Sequence, residues 1–440
     1  MSLGDLRLTD PHFRCGGVVR LPSSILATLY RRQRKLRTLR LDSMDLEPVV
    51  ASLSRDGLAN IAAVYICTSD PKEASSWNRV LPTLPNLRNL EVAAYRDRRD
   101  GTYPLEADAS SDVFANLLDW NGQEPQYTLH LHTLQVQGFD LTEVAGILRR
   151  RVHFPRLQVL GMQLCANSVR LIQVLYETHE LGRLSLRTFI IVEAKKDPES
   201  RVQDEVFSQL LSTFGTLEHL IVRTEGSSAY WPDFKAVAGH AASLRLLHLD
   251  CPLPGPLPQG SRIGSRGGFG SIRQLRKLQQ ITLPIQSIVL AEADCCATEC
   301  CYKDMRYVLL TLDALPSLRT FQVLDMRLGD LNVQQIDRPV LRAYALRQLR
   351  ILADYVFNAM ANLKVLSLER FVYRDSNNRR RESYSGQSYH RGKTTDARGR
   401  EQITAIEASL QELKQIEPAV DILDMKDLEH GGLFRYGYEL

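Results

Sequence analysis

The sequence predicts an α/β solenoid: about eleven strand–helix repeats stacked into a horseshoe, with a parallel sheet on the concave face and helices outside. Three observations carry this. A nine-residue phrase recurs as LPNLRNLEV (84–92), FPRLQVLGM (154–162) and LPSLRTFQV (315–323). Its apolar residues fill positions 1, 4 and 6 of a frame that returns along most of the chain. The spacers between frames carry the 3.6-residue apolar period of amphipathic helices.

The frame occurs at Leu36/Leu39/Leu41, Ile61/Val64/Ile66, Leu87/Leu90/Val92, Leu131/Leu134/Val136, Leu157/Leu160/Met162 and Leu186/Phe189/Ile191. It continues at Leu217/Leu220/Val222, Leu244/Leu247/Leu249, Leu278/Ile281/Leu283, Leu318/Phe321/Val323 and Leu363/Leu366/Leu368. Most starts lie 25 to 34 residues apart; separations of 40 to 45 read as one repeat plus an insertion. A frame of this shape at this period is the leucine-rich-repeat signature. Positions 4 and 6 point to one face of a strand, and positions 3, 5 and 7 to the other. One short strand cannot bury its apolar face alone, but stacked neighbours can.

Between strands, Leu46, Val49, Val50 and Leu53 fall at i, i+3, i+4, i+7, as do Leu141, Val144, Ala145 and Leu148, and Phe207, Leu210, Leu211 and Phe214. Residues 1–35 are expected to cap the first strand, with a helix over 21–34. The solenoid spans 36–370, with insertions near 95–128, 251–274 and 285–312. In the first insertion, Ser110–Ser111 is expected to cap a helix carrying Val113, Phe114, Leu117 and Leu118. Residues 371–402, rich in Ser, Asn, Gly and Arg and without apolar periodicity, read as a disordered basic loop. Ile403, Ile406, Leu410 and Leu413 then read as a C-terminal capping helix with its tail over 403–440.

Composition narrows the function classes. The formal net charge is +4, and residues 374–400 hold eight Arg or Lys against three Asp or Glu, so the remainder is close to neutral. A nucleic-acid groove spreads positive charge over a folded face instead. The start shows no basic patch followed by an apolar run, and no stretch approaches a membrane span. Eight cysteines in 440 residues do not make a disulfide framework; the expectation is an intracellular protein, cytoplasmic or nuclear. No G-x-S-x-G, H-E-x-x-H or paired C-x-x-C occurs, so no enzyme, metal or cofactor is expected. The glycines of GGFG (267–270) lack the Lys-Ser/Thr ending of a phosphate loop. Cys295, Cys296, Cys300 and Cys301 crowd four thiols into seven residues, whereas zinc sites normally use two short-spaced pairs from separate segments; they read as small apolar fillers, with a metal or redox role as the alternative.

Over residues 36–370 the chain resembles the leucine-rich-repeat proteins, and within them most the irregular repeat regions of fungal F-box-type proteins, in phrases such as LPNLRNLEV, TLEHLIV and NLKVLSLERF. The resemblance implies a protein-interaction scaffold recognising a substrate, with a ubiquitin-ligase adaptor as second partner. Two departures qualify it. The family's ninth position is commonly Asn or Cys, whereas here it holds Met44, Tyr95, Phe139, Glu225, Pro252 and Met326, and only Cys165 fits. Leu21–Pro22–Ser23–Ser24–Ile25–Leu26 resembles the opening of an F-box helix, yet the first frame at Leu36 leaves no room for the other two helices. A free-standing repeat protein with no ubiquitin link therefore stays open as a second reading.

Position 5 forms the middle row of the concave face. The residues expected to meet a protein or peptide partner are Arg40, Tyr65, Glu91, Gln135, Ile190, Ile221, His248 and Gln322, with Arg223 and Asp250 beside them. The row is polar at its ends and apolar at Ile190 and Ile221, an apolar centre with a polar rim as interfaces have. Its mixed charges do not suit a phosphate-tracking groove.

Overall fold

A computed structural model describes residues 5–8, 38–42, 60–94, 106–118, 128–179, 184–193, 203–224, 232–250, 268–284, 289–290, 303–324, 326–328, 338–369, 371–374, 380–384 and 386–424. The chain forms two compact units, Met1–Phe214 and Gly215–Leu440.

The first unit holds β1 (Asp5–Leu8), β2 (Thr38–Asp42), β3 (Ala63–Cys67), β4 (Asn89–Ala93), β5 (Thr133–Gln137), β6 (Val159–Gln163) and β7 (Thr188–Glu193). Each pairs in parallel with the next. The frame stays in register throughout: position 4 runs Leu6, Leu39, Val64, Leu90, Leu134, Leu160, Phe189 across the seven strands. The backbone repeats as well. The N–H groups at positions 2 and 3 both donate to the position-2 carbonyl of the preceding strand, as Arg88 and Asn89 do to Ala62, and His132 and Thr133 to Arg88. From Val64 to Ile191, every residue at positions 4 and 6 is buried. Each such side chain contributes about 1.5–3 kcal/mol on leaving water.

The buried face packs on helices α1 (Pro71–Val80), α2 (Ala107–Leu118), α3 (Val144–Arg151), α4 (Ser168–His179) and α5 (Gln203–Thr213). The expected stripes are the buried ones: Leu141, Val144, Leu148, Phe207, Leu210 and Leu211 are fully buried. The stripe at Leu46–Leu53 and the helix expected over 21–34 lie outside the described residues.

Two expectations change here. Residues before Leu36 do more than cap: β1 pairs with β2, and Leu3, Leu6 and Leu8 repeat the frame spacing. Ser110 does not cap α2. It lies within the helix, fully buried, and its Oγ accepts from the Asp140 N–H at 2.9 Å. It fastens its own repeat to the next.

The second unit continues the scheme with β8 (His219–Thr224), β9 (Leu246–Asp250), β10 (Gln280–Pro284), β12 (Thr320–Leu324) and β14 (Val365–Leu368), again parallel and in register. Short strands β11 (Val289–Leu290), β13 (Met326–Leu328) and β15 (Phe371–Arg374) follow three of them and pair with one another, and β16 (Arg380–Tyr384) closes this small sheet antiparallel to β15. The helices are α6 (Phe234–Ala238), α7 (Lys303–Asp313) and the long α8 (Arg338–Ala359). The Phe269 of GGFG is core, its ring edge-on to Phe234 at 5.2 Å. Cys295–Cys301 lie outside the described residues.

The largest departure from the sequence reading is at 371–407. Where a disordered loop is expected, β17 (Gln387–Thr395) and β18 (Glu401–Glu407) form an antiparallel hairpin, and β17 pairs with β14. The hairpin supplies partners to an edge that the last parallel strand would leave open. Gly386 passes so close to β14 that a Cβ there would lie 1.9 Å from the Leu368 carbonyl oxygen. The hairpin is locked onto α8. Asp354 accepts from the Ala405 N–H at 2.6 Å, and Arg391 donates to the Phe357 and Met360 carbonyls, both at 2.8 Å, satisfying the open C-terminal end of α8. The expected capping helix over 403–413 is thereby split. Ile403 and Ile406 belong to β18, and the helix α9 (Leu410–Ile416) begins at a Ser409–Glu412 capping box.

Candidate functional site

The alternation of strand side chains puts positions 3, 5 and 7 on the face turned away from the helices, and this is where sequence reasoning placed a partner. The two units present this face separately.

In the first unit, the position-5 row reads Arg7, Arg40, Tyr65, Glu91, Gln135, Gly161, Ile190. Arg40 is placed by its backbone, opposite Arg7 and Tyr65. Tyr65 and Glu91 are buried, Gln135 is half-buried, and Ile190 is only 1% exposed. Gln135 leans over Gly161, where a Cβ would meet its side chain at 3.3 Å. One turn beyond the row, Cys165, at the ninth position of its frame, ties its turn to the previous repeat. Its buried Sγ donates to the Val136 carbonyl of the previous repeat (3.4 Å) and lies 3.3 Å from the Gln163 carbonyl. Asp140 accepts from the Thr142 N–H and from Asn167 Nδ2, tying adjacent turns together.

In the second unit, the row reads Ile221, His248, Thr282, Gln322, Ser367. Ile221 is 2% exposed and His248 5% exposed. Here a polar relay crosses three strands: Thr282 Oγ1 donates to Gln322 Oε1 at 2.6 Å, and Gln322 Nε2 donates to Glu369 Oε1 at 2.6 Å. Beside it, Arg223 Nε meets Asp250 Oδ2 at 3.1 Å across β8 and β9, both side chains partly open to solvent. Burial pushes the His248 imidazole down to about 3, and the neighbouring Arg223 charge adds to that, so it is neutral in ordinary buffers.

The apolar residues expected at the centre of the face, Ile190 and Ile221, are both buried. A middle-row side chain has a neighbour on the strand paired with it inside its unit, about 4.8 Å away, and others two residues away along its own strand. Among the described residues, the partly accessible side chains on this face include Gln135 and Gln137 in the first unit and Arg223, Asp250 and Glu369 in the second.

Sequence reasoning missed one feature of this face. In the second unit the position-3 row, with Gln280, Thr320 and Val365, is buried beneath the chain's own C-terminal segment. Thr320 Oγ1 donates to the Ala419 carbonyl at 2.7 Å. Gln280 binds twice, accepting from the Ile422 N–H at 2.9 Å and donating to Asp421 Oδ2 at 3.0 Å. Lys364 pairs with Glu417 at 3.1 Å. The signal available in the sequence was V-D-I-L at 420–423, an apolar run beyond the last frame.

Among the described residues, no group of three or more His, Cys, Asp or Glu is disposed to hold a metal ion. No helix among them is long and apolar enough to cross a membrane. No protein-family model matches the chain. No curated protein matches it either. Among solved structures it is similar to a chain of the Rad7 and Elc1 complex in yeast, at 14% identity over 79% of this chain and 83% of that one, with a TM-score of 0.32.

Proposed function

We propose that this chain is a non-enzymatic protein–protein interaction scaffold that meets its partner on the sheet face opposite the helices. One observation supports the reading above the rest. An in-register parallel ladder holds charged and amide side chains at fixed strand spacing on that face, with Arg223 and Asp250 paired yet partly open to solvent. A half-buried charge pair on a rigid support discriminates partners by complementarity and sets association rate. The candidate contact set remains Arg40, Tyr65, Glu91, Gln135, Ile190, Ile221, Arg223, His248, Asp250 and Gln322, with direct contact falling to the accessible polar members and the buried members shaping the surface beneath.

The finer reading is substrate recognition of the kind served by the repeat half of an F-box-type ubiquitin-ligase subunit. The second reading is a free-standing repeat scaffold without a ubiquitin link.

The test is affinity capture of the full-length chain from its native cell, with partners identified by mass spectrometry. An adaptor and cullin among the partners supports the ligase reading; a stable set without them supports the free-standing scaffold. Arg223→Glu should lower recovery of a face-bound partner by about tenfold or more while the melting temperature stays within a few degrees. Unchanged recovery by that variant argues against this face.

A further inference from the structure

The C-terminal segment crosses the second unit in a specific way. After α9, the chain leaves the helix extended at Glu417, turns at Pro418–Val420 and enters the one-turn helix α10 (Asp421–Asp424). The segment runs backwards over the strand order. Glu417 reaches Lys364 beside β14, Ala419 reaches Thr320 on β12, and Asp421 and Ile422 reach Gln280 on β10. It therefore advances about two residues per strand.

The contacts are of two kinds. Thr320 and the Gln280 carboxamide oxygen read main-chain groups, Ala419 C=O in the turn and Ile422 N–H at the start of α10, which do not depend on side-chain identity. Lys364, the Gln280 amide nitrogen and the buried sites of Val420, Ile422 and Leu423 read side chains: an acidic residue, then aliphatic, acidic, aliphatic, aliphatic. Among the described residues the segment's own backbone bonds stay within itself, as Val420 N–H to Pro418 C=O and Leu423 N–H to Val420 C=O. It is seated by side chains, and no ladder welds it to the sheet. Its grip is that of a bound peptide.

We infer that the position-3 row of the second unit is a track for an acidic–aliphatic segment of the form Glu-x-x-Val-Asp-Ile-Leu, occupied in cis by residues 417–423 and open to a partner's segment of the same chemistry when that strap lifts. This rests on the reading of the sheet face as a binding face. Tethering gives the strap a local concentration on the order of millimolar, so a partner's segment competes only when it binds more tightly or when the strap is weakened.

Two measurements on the full chain test this. In hydrogen exchange of the wild type, the Ile422 and Leu423 amides should exchange at least about tenfold faster than those within β10 and β12, because a strap lifts without unfolding the ladder; equal protection overturns the proposal. In the second, the full-length double variant Glu417→Lys, Asp421→Lys meets a fluorescein-labelled peptide EPAVDILD, followed by anisotropy. It should bind at least about tenfold tighter than the wild type, and adding Gln280→Ala should erase the gain. A cooperatively melting variant with no gain overturns the proposal; if that variant does not fold, hydrogen exchange decides. Partner capture that survives failure of both measurements leaves the scaffold reading intact and removes only the strap.

Discussion

His248 shows what this face does to a titratable residue. Opposite Ile221 on the neighbouring strand, it loses water on folding, and its Nδ1 finds no hydrogen-bond partner among the described residues. The imidazole is held down to about 3 from an ordinary 6.5 by burial first and Arg223 second. Between those values the unfolded chain binds a proton that the folded chain refuses, so stability falls as the pH drops through that window. The loss approaches about 1.4 kcal/mol per pH unit from this residue. His248→Gln should flatten the pH dependence of denaturant midpoints between pH 6 and 4; an unchanged slope would show that other groups carry it. Ile190 and Ile221 teach the companion lesson. Their positions on the face were legible from the frame, but their burial was not, because accessibility depends on how far neighbouring side chains reach.

At the scale of elements, strand and helix identities followed from period, and the misses have physical causes. The hairpin β17–β18 was read as disorder because only its Tyr389 and Ala405 are buried, too few to make an alternating signal. Its real signature is turn chemistry. Asp396 accepts from the Arg398 and Arg400 N–H groups at 2.8 and 2.9 Å, and its side chain also pairs with Arg400. Those bonds hold its carboxyl below the usual range, the Arg400 N–H contributing most. Gly399 closes the turn at φ +77° with open space around it. Gly399→Val therefore tests backbone conformation without a packing change, and should lower stability by about 1–2 kcal/mol, read as a drop in melting temperature. A neutral result would mean that the turn relaxes to another conformation. The twelfth frame at Leu3/Leu6/Leu8 escaped notice for a simpler reason: the 33-residue step to Leu36 hid it behind a segment that looked like a cap.

At the scale of the molecule, each repeat in a unit buries its apolar face only because its neighbours do. Leu134→Pro in β5 would remove a ladder N–H and a fully buried side chain together. It should cost more than about 3 kcal/mol and open α2 and α3 on either side to limited proteolysis; cleavage confined to β5 itself would mean that the repeats are more independent than the shared core implies. By itself the sequence determined the α/β repeat and its register, because a 1-4-6 apolar frame at a 25–34-residue step has one low-energy solution, parallel strands that share a face. It also determined which residues stand on the opposite face, since strand alternation leaves no choice. Only the tertiary structure decided which of those residues water reaches. That outcome depends on contacts between segments far apart in the chain, Gln280 with Ile422 and Thr320 with Ala419. No local periodicity encodes a pairing of side chain with passing main chain across 99 or 142 residues.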